Sequence, residues 1–224
     1  MLPFENGGSY GRDKEDFDAL RKGLAALLIS ELSANPGLRL IDRAESQRVL
    51  DGQGPALAER VDKATAARIG KLVGARYVVT GSFIDLYGDF RIDARLVDTD
   101  SGDIVKVVRS DPTYHDRRDM YRMVQSVADR LASGTPLPPI PASTIPRSRQ
   151  VPTEAIGYFS RALLVQDRGE RAKAMEYYQK ALAVYPDFTE AVEGLRQAAP
   201  ARRAPQSSFA PRPILRHGPA GSMR

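Results

Sequence analysis

The sequence predicts an α/β protein: a mixed sheet with an antiparallel three-stranded meander and packed helices, followed by a small all-α helical hairpin. Three observations point there. Apolar residues from Phe17 to Leu32 recur mostly at three- and four-residue steps, the period of an amphipathic helix. Near residue 75 the period changes to two, the period of a strand. Six prolines between Gly134 and Pro152 then end all periodicity before two further helical segments begin.

Each element has a local reason. Leu2, Pro3 and Phe4 read as the end of a buried strand, with Glu5 to Gly11 as the loop after it. Phe17, Leu20, Leu24, Leu27, Leu28 and Leu32 form one stripe on a helix that Asn35-Pro36-Gly37 stops. Residues 38–41, LRLI, read as a short buried strand. Residues 42–50 form a second helix with Asp42 as its N-cap. A third starts near Asp62 and places Ala66, Ile69, Leu72 and Val73 on one face, with Gly74 closing it. Strands follow at 75–86, 89–98 and 103–109, joined by turns at 87–89 and 99–102. In the second, Phe90, Ile92, Ala94 and Leu96 alternate with Asp89, Arg91, Asp93 and Arg95, so one face is buried and one solvated. A last amphipathic helix carries Met120, Met123, Val124, Val127 and Leu131.

Composition narrows the functional classes. Apolar residues make up 42% and charged residues 27%, ordinary for a globular protein. No run reaches the eighteen or so apolar residues of a membrane span. Cysteine is absent, which removes disulfides, thiol catalysis and cysteine lipidation from this chain. The net charge of +5 resides in the C-terminal tail, where residues 201–224 hold five arginines and no acid. A basic tail on a neutral body, without a recognition helix or an aromatic strand, points to a solvated segment and to no nucleic-acid partner.

The segments LPFEN (2–6), GLAALLISELSANPGLRLIDR (23–43), TAARIGKLVGARYVVTGSF (65–83) and GDFRIDARLVDTDSGDIV (88–105) resemble the CsgG-like and TolB-N-terminal-like envelope domains of bacteria. FlgO-like flagellar proteins and regions attached to bacterial cyclases and regulators are similar. The resemblance covers residues 2–132 and implies an α/β domain that works by assembly and protein contact. It departs from the curli secretion channel in lacking a lipidated cysteine. The turn at Tyr87–Asp89 is also too short for membrane-spanning strands, which need about nine to eleven residues each.

Residues 155–187 resemble a tetratricopeptide repeat: Gly169 closes the first helix, and Ala174, Tyr178, Ala181 and Pro186 fall at the repeat's spacing. Arg161 and Val165 depart from the pattern, standing where leucine and tyrosine are usual. Residues 188–198 supply a third helix. One repeat cannot bury its own faces, so the unit must lean on the first domain or on another chain. The expected organisation is thus a CsgG/TolB-N-like domain at 1–133, a proline-rich linker at 134–152, a TPR-like module at 153–199 and a disordered basic tail at 200–224. Phe159, Leu163 and Gln166 are the candidate peptide-binding residues of the module.

No catalytic, cofactor-binding or metal-binding set is expected. ENGGSYGR (5–12) lacks both phosphate-loop patterns. DTDSGD (98–103) lacks the third ligand, the sixth-position glycine and the closing glutamate of an EF-hand and reads as a turn. His115 and His217 have no ligand partners at useful spacing. Asp89 and Asp93 share a strand face with Arg91 and Arg95, which accounts for them as ion pairs.

Two readings follow. One is a non-enzymatic, envelope-associated assembly or scaffold protein without pore hairpins, holding protein partners through the TPR-like unit and forming homo-oligomers through the α/β domain. It would sit in the periplasm, peripheral to the outer membrane. The other is a cytoplasmic regulatory or sensory module. Because the family strand would place several apolar residues ahead of Leu2, inside the sheet, Met1 is expected to be an internal start, with about five more strand residues and, on the envelope reading, a signal peptide before it.

Overall fold

The computed structural model describes residues 1–8, 14–52, 62–138 and 149–199. Residues 9–12 of the ENGGSYGR loop, the linker centre at 139–148, the tail at 200–224 and His217 lie outside them.

Among the described residues four strands form one sheet in the order β1-β2-β3-β4, with β1 at Glu5–Asn6, β2 at Tyr77–Leu86, β3 at Asp89–Asp98 and β4 at Ile104–Arg109. β1 runs parallel to β2, and the other pairs are antiparallel, so the sheet is mixed and contains the expected meander. The β2–β3 turn sets Tyr87 and Gly88 at φ 57° and 97°, the two positive values that a two-residue hairpin turn requires. Asp98 makes the next turn by accepting from the Asp100 and Ser101 amides.

The helices before and after the meander are α1 (Lys14–Ser33), α2 (Arg43–Asp51), α3 (Lys63–Leu72) and α4 (Met120–Ala132). The Asp42 carboxylate caps α2 by accepting from the Ala44 amide, and Asp62 caps α3 by accepting from Thr65. Gly74, at φ 67°, lets Ala75 bond back to Gly70 and end α3.

Two expectations are corrected. Residues 38–41 form no strand: the Pro36-Gly37 turn ties the Leu38 amide to Asn35, and the edge of β2 that they would need is taken by β1. The N-terminal residues do not lie inside the sheet either. β1 is its outermost strand, although Leu2 and Phe4 are buried, with the Leu2 amide bonded to Val79 and the Phe4 amide to Arg21 of α1. Phe4 lies flat on β2 because residue 81 is glycine; a Cβ there would strike its ring.

Leu2, Leu50, Ala66, Ile69, Val78 and Val97 pack one face of the sheet beneath α2 and α3. The other face, with Phe83, Phe90, Ile92, Ala94 and Leu96, meets α1 and α4. That core does not stop at the proline-rich segment. It continues through α1 into the hairpin of α5 (Thr153–Asp167) and α6 (Arg171–Val184) and on to α7 (Thr189–Ala198). Within the hairpin Ala174, Tyr178 and Ala181 are fully buried, and Tyr178 lies against Gly194 of α7.

Candidate interaction site

A concavity lies beside the segment expected to be a strand. Asn35, itself buried, fixes the turn before that segment: its side-chain oxygen accepts from the Gly37 amide at 3.0 Å, and its amide nitrogen donates to the Pro138 carbonyl at 2.6 Å. After this turn the backbone of Arg39, Leu40 and Ile41 runs on without a hydrogen bond to any described residue. It forms one wall of a cleft of about 590 Å3. Ile29, Leu32 and Leu96 line it from the side of α1, Ile69 and Val73 from α3, and Met1 and Leu2 from the sheet. Burial in this apolar setting pushes the Met1 amine down to about 6. Among the described residues its ionisable side chains are Arg39, Glu45, Arg76 and Tyr77; Arg76 is engaged by Asp98 and Asp100. The cleft is lined mainly by apolar side chains and offers contact area.

A second feature is the seam that fixes the helical hairpin to the α/β body. Along α1 the residues facing α5 and α7 are small or polar: Asp16 pairs with Arg161, Gly23 lies against Ser160, and Ser30 donates to Glu190 at 2.5 Å. At one end Asp167 accepts from Lys22 at 2.5 Å and from both guanidinium nitrogens of Arg43 at 2.9 and 3.0 Å. Burial would raise the Asp167 carboxyl, but Arg43 and Lys22 outweigh it and hold the group below its ordinary value. At the other end Arg149 forms a two-pronged pair with Glu190 and lies over the rings of Tyr121 and Phe188. Glu190 is likewise held low against its burial, chiefly by Arg149 and Ser30. Glu31 next to it behaves oppositely: burial raises its carboxyl, although Tyr121 donates to it at 2.5 Å.

The three sequence-predicted peptide-binding residues all lie on α5. Phe159 is 2% exposed and its ring lies 5.0 Å from that of Phe188; Leu163 is 5% exposed; Gln166 accepts a hydrogen bond from the Tyr178 hydroxyl at 2.7 Å. Arg161, which departs from the repeat pattern, is the residue that reaches Asp16 on α1. His115 is exposed beside the β2–β3 turn, where its carbonyl accepts from the Phe90 amide. Asp93 is bridged by Arg91 and Arg109, and the carboxylates of Asp98 and Asp100 are occupied by Arg76. Two features escaped the sequence reading. The cleft did, because LRLI looks like a strand whether or not a neighbour pairs with it. The seam did too, yet Asp16, Ala19, Gly23, Ala26 and Ser30 recur at three- and four-residue steps and could have marked a second packed face.

Residues 8–91 match the family model described as curli production assembly/transport component CsgG. The CsgG match takes in α1, α2, α3, β2 and the first residues of β3, and with them most of the cleft wall. Among solved structures, the LpoB C-terminal domain from Salmonella enterica is 16% identical with a TM-score of 0.34, and that from Escherichia coli 19% identical with a TM-score of 0.32. Each comparison covers 48% of this chain and 74% of the LpoB domain. No curated protein matches the sequence.

Proposed function

We propose that this chain is a non-enzymatic, envelope-associated assembly or scaffold protein that acts through protein–protein contacts, peripheral to the outer membrane on its periplasmic side. The observation that carries this reading is the CsgG match over residues 8–91, a family whose description is assembly and transport. Assembly is the half that suits this geometry. The ten-residue strands β2 and β3 commit their apolar faces to α1 and α4, which favours a scaffold over a pore. The packing of Ala174, Tyr178 and Ala181 supports the TPR-like reading of the hairpin, docked here on α1. Among the described residues no helix is long and apolar enough to cross a membrane, so association would run through protein or surface contacts.

The test is fractionation of source cells that express the tagged native gene. The protein should be recovered with the envelope or periplasm and released from membranes by salt or carbonate. Recovery in the cytoplasmic fraction alone would overturn the reading.

A further inference from the structure

We propose that β4, the outer strand of the meander, is a docking edge for an extended, β-branched segment of a partner protein with acidic residues at its centre. The inference deepens the scaffold reading and rests on it for the partner being a protein.

β4 ends the sheet: β3 and α4 are its neighbours, and all three lie in the described stretch 62–138. Its ladder with β3 decides which backbone groups turn outward. The Ser110 amide donates to the Ile92 carbonyl at 2.8 Å, so residues 92 and 110 form a bonded pair. Bonded and non-bonded pairs alternate along an antiparallel ladder. Ala94 and Val108 are therefore bonded to each other, and Arg95 and Val107 are not. The amide and carbonyl of Val107 thus point away from the sheet. Those of Arg109 do so too, and its carbonyl accepts from Arg130 on α4 at 3.2 Å. Val107 has no such cover among the described residues, and its side chain is 62% exposed, with Ile104 and Val105 exposed beside it. An added strand takes its affinity from outward backbone groups of this kind and its specificity from the side chains around them.

Charge selects the occupant. Arg95 stands opposite Val107, Lys106 next to it and Arg109 two residues on. Asp93 answers Arg109, but Lys106 reaches only a neutral group, the Ser133 carbonyl. Arg95 is exposed and has no carboxylate partner among the described residues. Acidic residues lie at the far end, in the turn at 98–103, where Arg76 holds Asp98 and Asp100. A second copy paired about Val107 would bring these cations together, and lysine on an edge opposes such self-pairing. A segment with acids at its centre gains where a second copy loses. Arg95 and Arg109 stand on one face of the sheet and Lys106 on the other, so central acids meet a cation on either face.

The experiment uses the full chain and a fluorophore-labelled peptide, Thr-Val-Val-Glu-Glu-Val-Val-Thr, blocked at both ends. Fluorescence anisotropy should saturate at one peptide per protein, and the Val107 amide should exchange with solvent about tenfold more slowly when it is bound. The same peptide with Lys-Lys at its centre should not bind. Val107→Pro removes the outward amide and leaves the bonds to β3 in place, a change that edge strands tolerate, and it should abolish binding. Arg95→Glu, at an exposed site, reads the charge independently: it should weaken the acidic peptide about fivefold and favour the Lys-Lys version. Equal binding of the two peptides, no added protection at Val107, or full binding by a folded Val107→Pro variant overturns the proposal. So does a Val107 amide already protected in the peptide-free protein, whether a second copy or the chain itself covers it. A protein found in the envelope that binds no peptide loses the docking edge and keeps the scaffold reading; a cytoplasmic protein that binds it does the reverse.

Discussion

α1 has two working faces, and they hold the molecule together by different means. Toward the sheet and α4 it presents Phe17, Leu20, Leu24, Leu27, Leu28 and Leu32, all nearly fully buried, with Phe17 and Phe83 rings 6.3 Å apart. Toward α5 and α7 it presents Asp16, Ala19, Gly23 and Ser30, and the contact is close backbone approach ringed by ion pairs. The first face gains from area removed from water and tolerates small shifts. The second gains from fit, so small changes in volume or charge count for more there than area suggests. A single helix thereby makes one body of two units that the chain separates by a proline-rich stretch.

The largest expected effect lies on the apolar face. Leu24 is fully buried, and Leu24→Ala removes its methyl groups and leaves a cavity between rigid elements. The cost should be about 3 kcal/mol. In urea unfolding the midpoint should fall with the slope unchanged, and because the core is continuous the α/β signal and the hairpin signal should shift together. Separate transitions for the two would break the comparison, by showing that the hairpin folds on its own terms.

The close-packed face should respond to a single carbon. A Cβ on residue 23 would lie 2.8 Å from the Ser160 Cβ and 3.2 Å from its Cα, so α1 and α5 would have to separate. Overpacking of this kind costs roughly 1–3 kcal/mol, and the better helix propensity of alanine returns at most about 1 kcal/mol. Gly23→Ala should therefore be net destabilising. Gly157 is the control: it lies in α5 with nothing within 4 Å of the added carbon, so Gly157→Ala should stabilise by about 0.5–1 kcal/mol. Thermal melts of the two variants should move in opposite directions. Movement in the same direction would show that propensity, and not contact, governs this seam.

This contrast also explains what was legible in the sequence. The apolar stripe of α1, the caps at Asp42 and Asp62, the meander and its turns are local patterns with one physical meaning each, and all of them form. LRLI at 38–41 was misread because apolar residues with strand propensity need a neighbour to become a strand, and no local pattern reports whether a neighbour is there. Phe159 and Leu163 are both buried, with the Phe159 ring against those of Tyr178 and Phe188, a packing that the spacing of α5 alone does not report. The cleft is legible only in three dimensions, since its walls come from α1, α3, the sheet and the 38–41 segment.

The smallest effect sharpens the comparison by titration. Glu31 stands where the two faces of α1 meet, bonded to Tyr121 and close to the Arg149–Glu190 pair. Burial raises its carboxyl above the ordinary value, so the folded state holds a proton more tightly than the unfolded chain does. The sign follows: any stability linked to Glu31 is fully present below the unfolded pKa and falls as the pH rises through the folded one. Glu190 has the opposite sign, its depressed carboxyl favouring folding above the ordinary value and losing that contribution as the pH drops through the folded pKa. Glu31→Gln keeps an oxygen to accept from Tyr121 and removes the charge. At pH 7 it should be more stable than the parent by less than about 1 kcal/mol, the scale of one net hydrogen bond. The difference should vanish in acid, where the parent carboxyl is protonated in both states. A variant less stable than the parent at pH 7 would mean that the attraction of Arg149 outweighs the burial of Glu31, and that this end of the seam is held by charge alone.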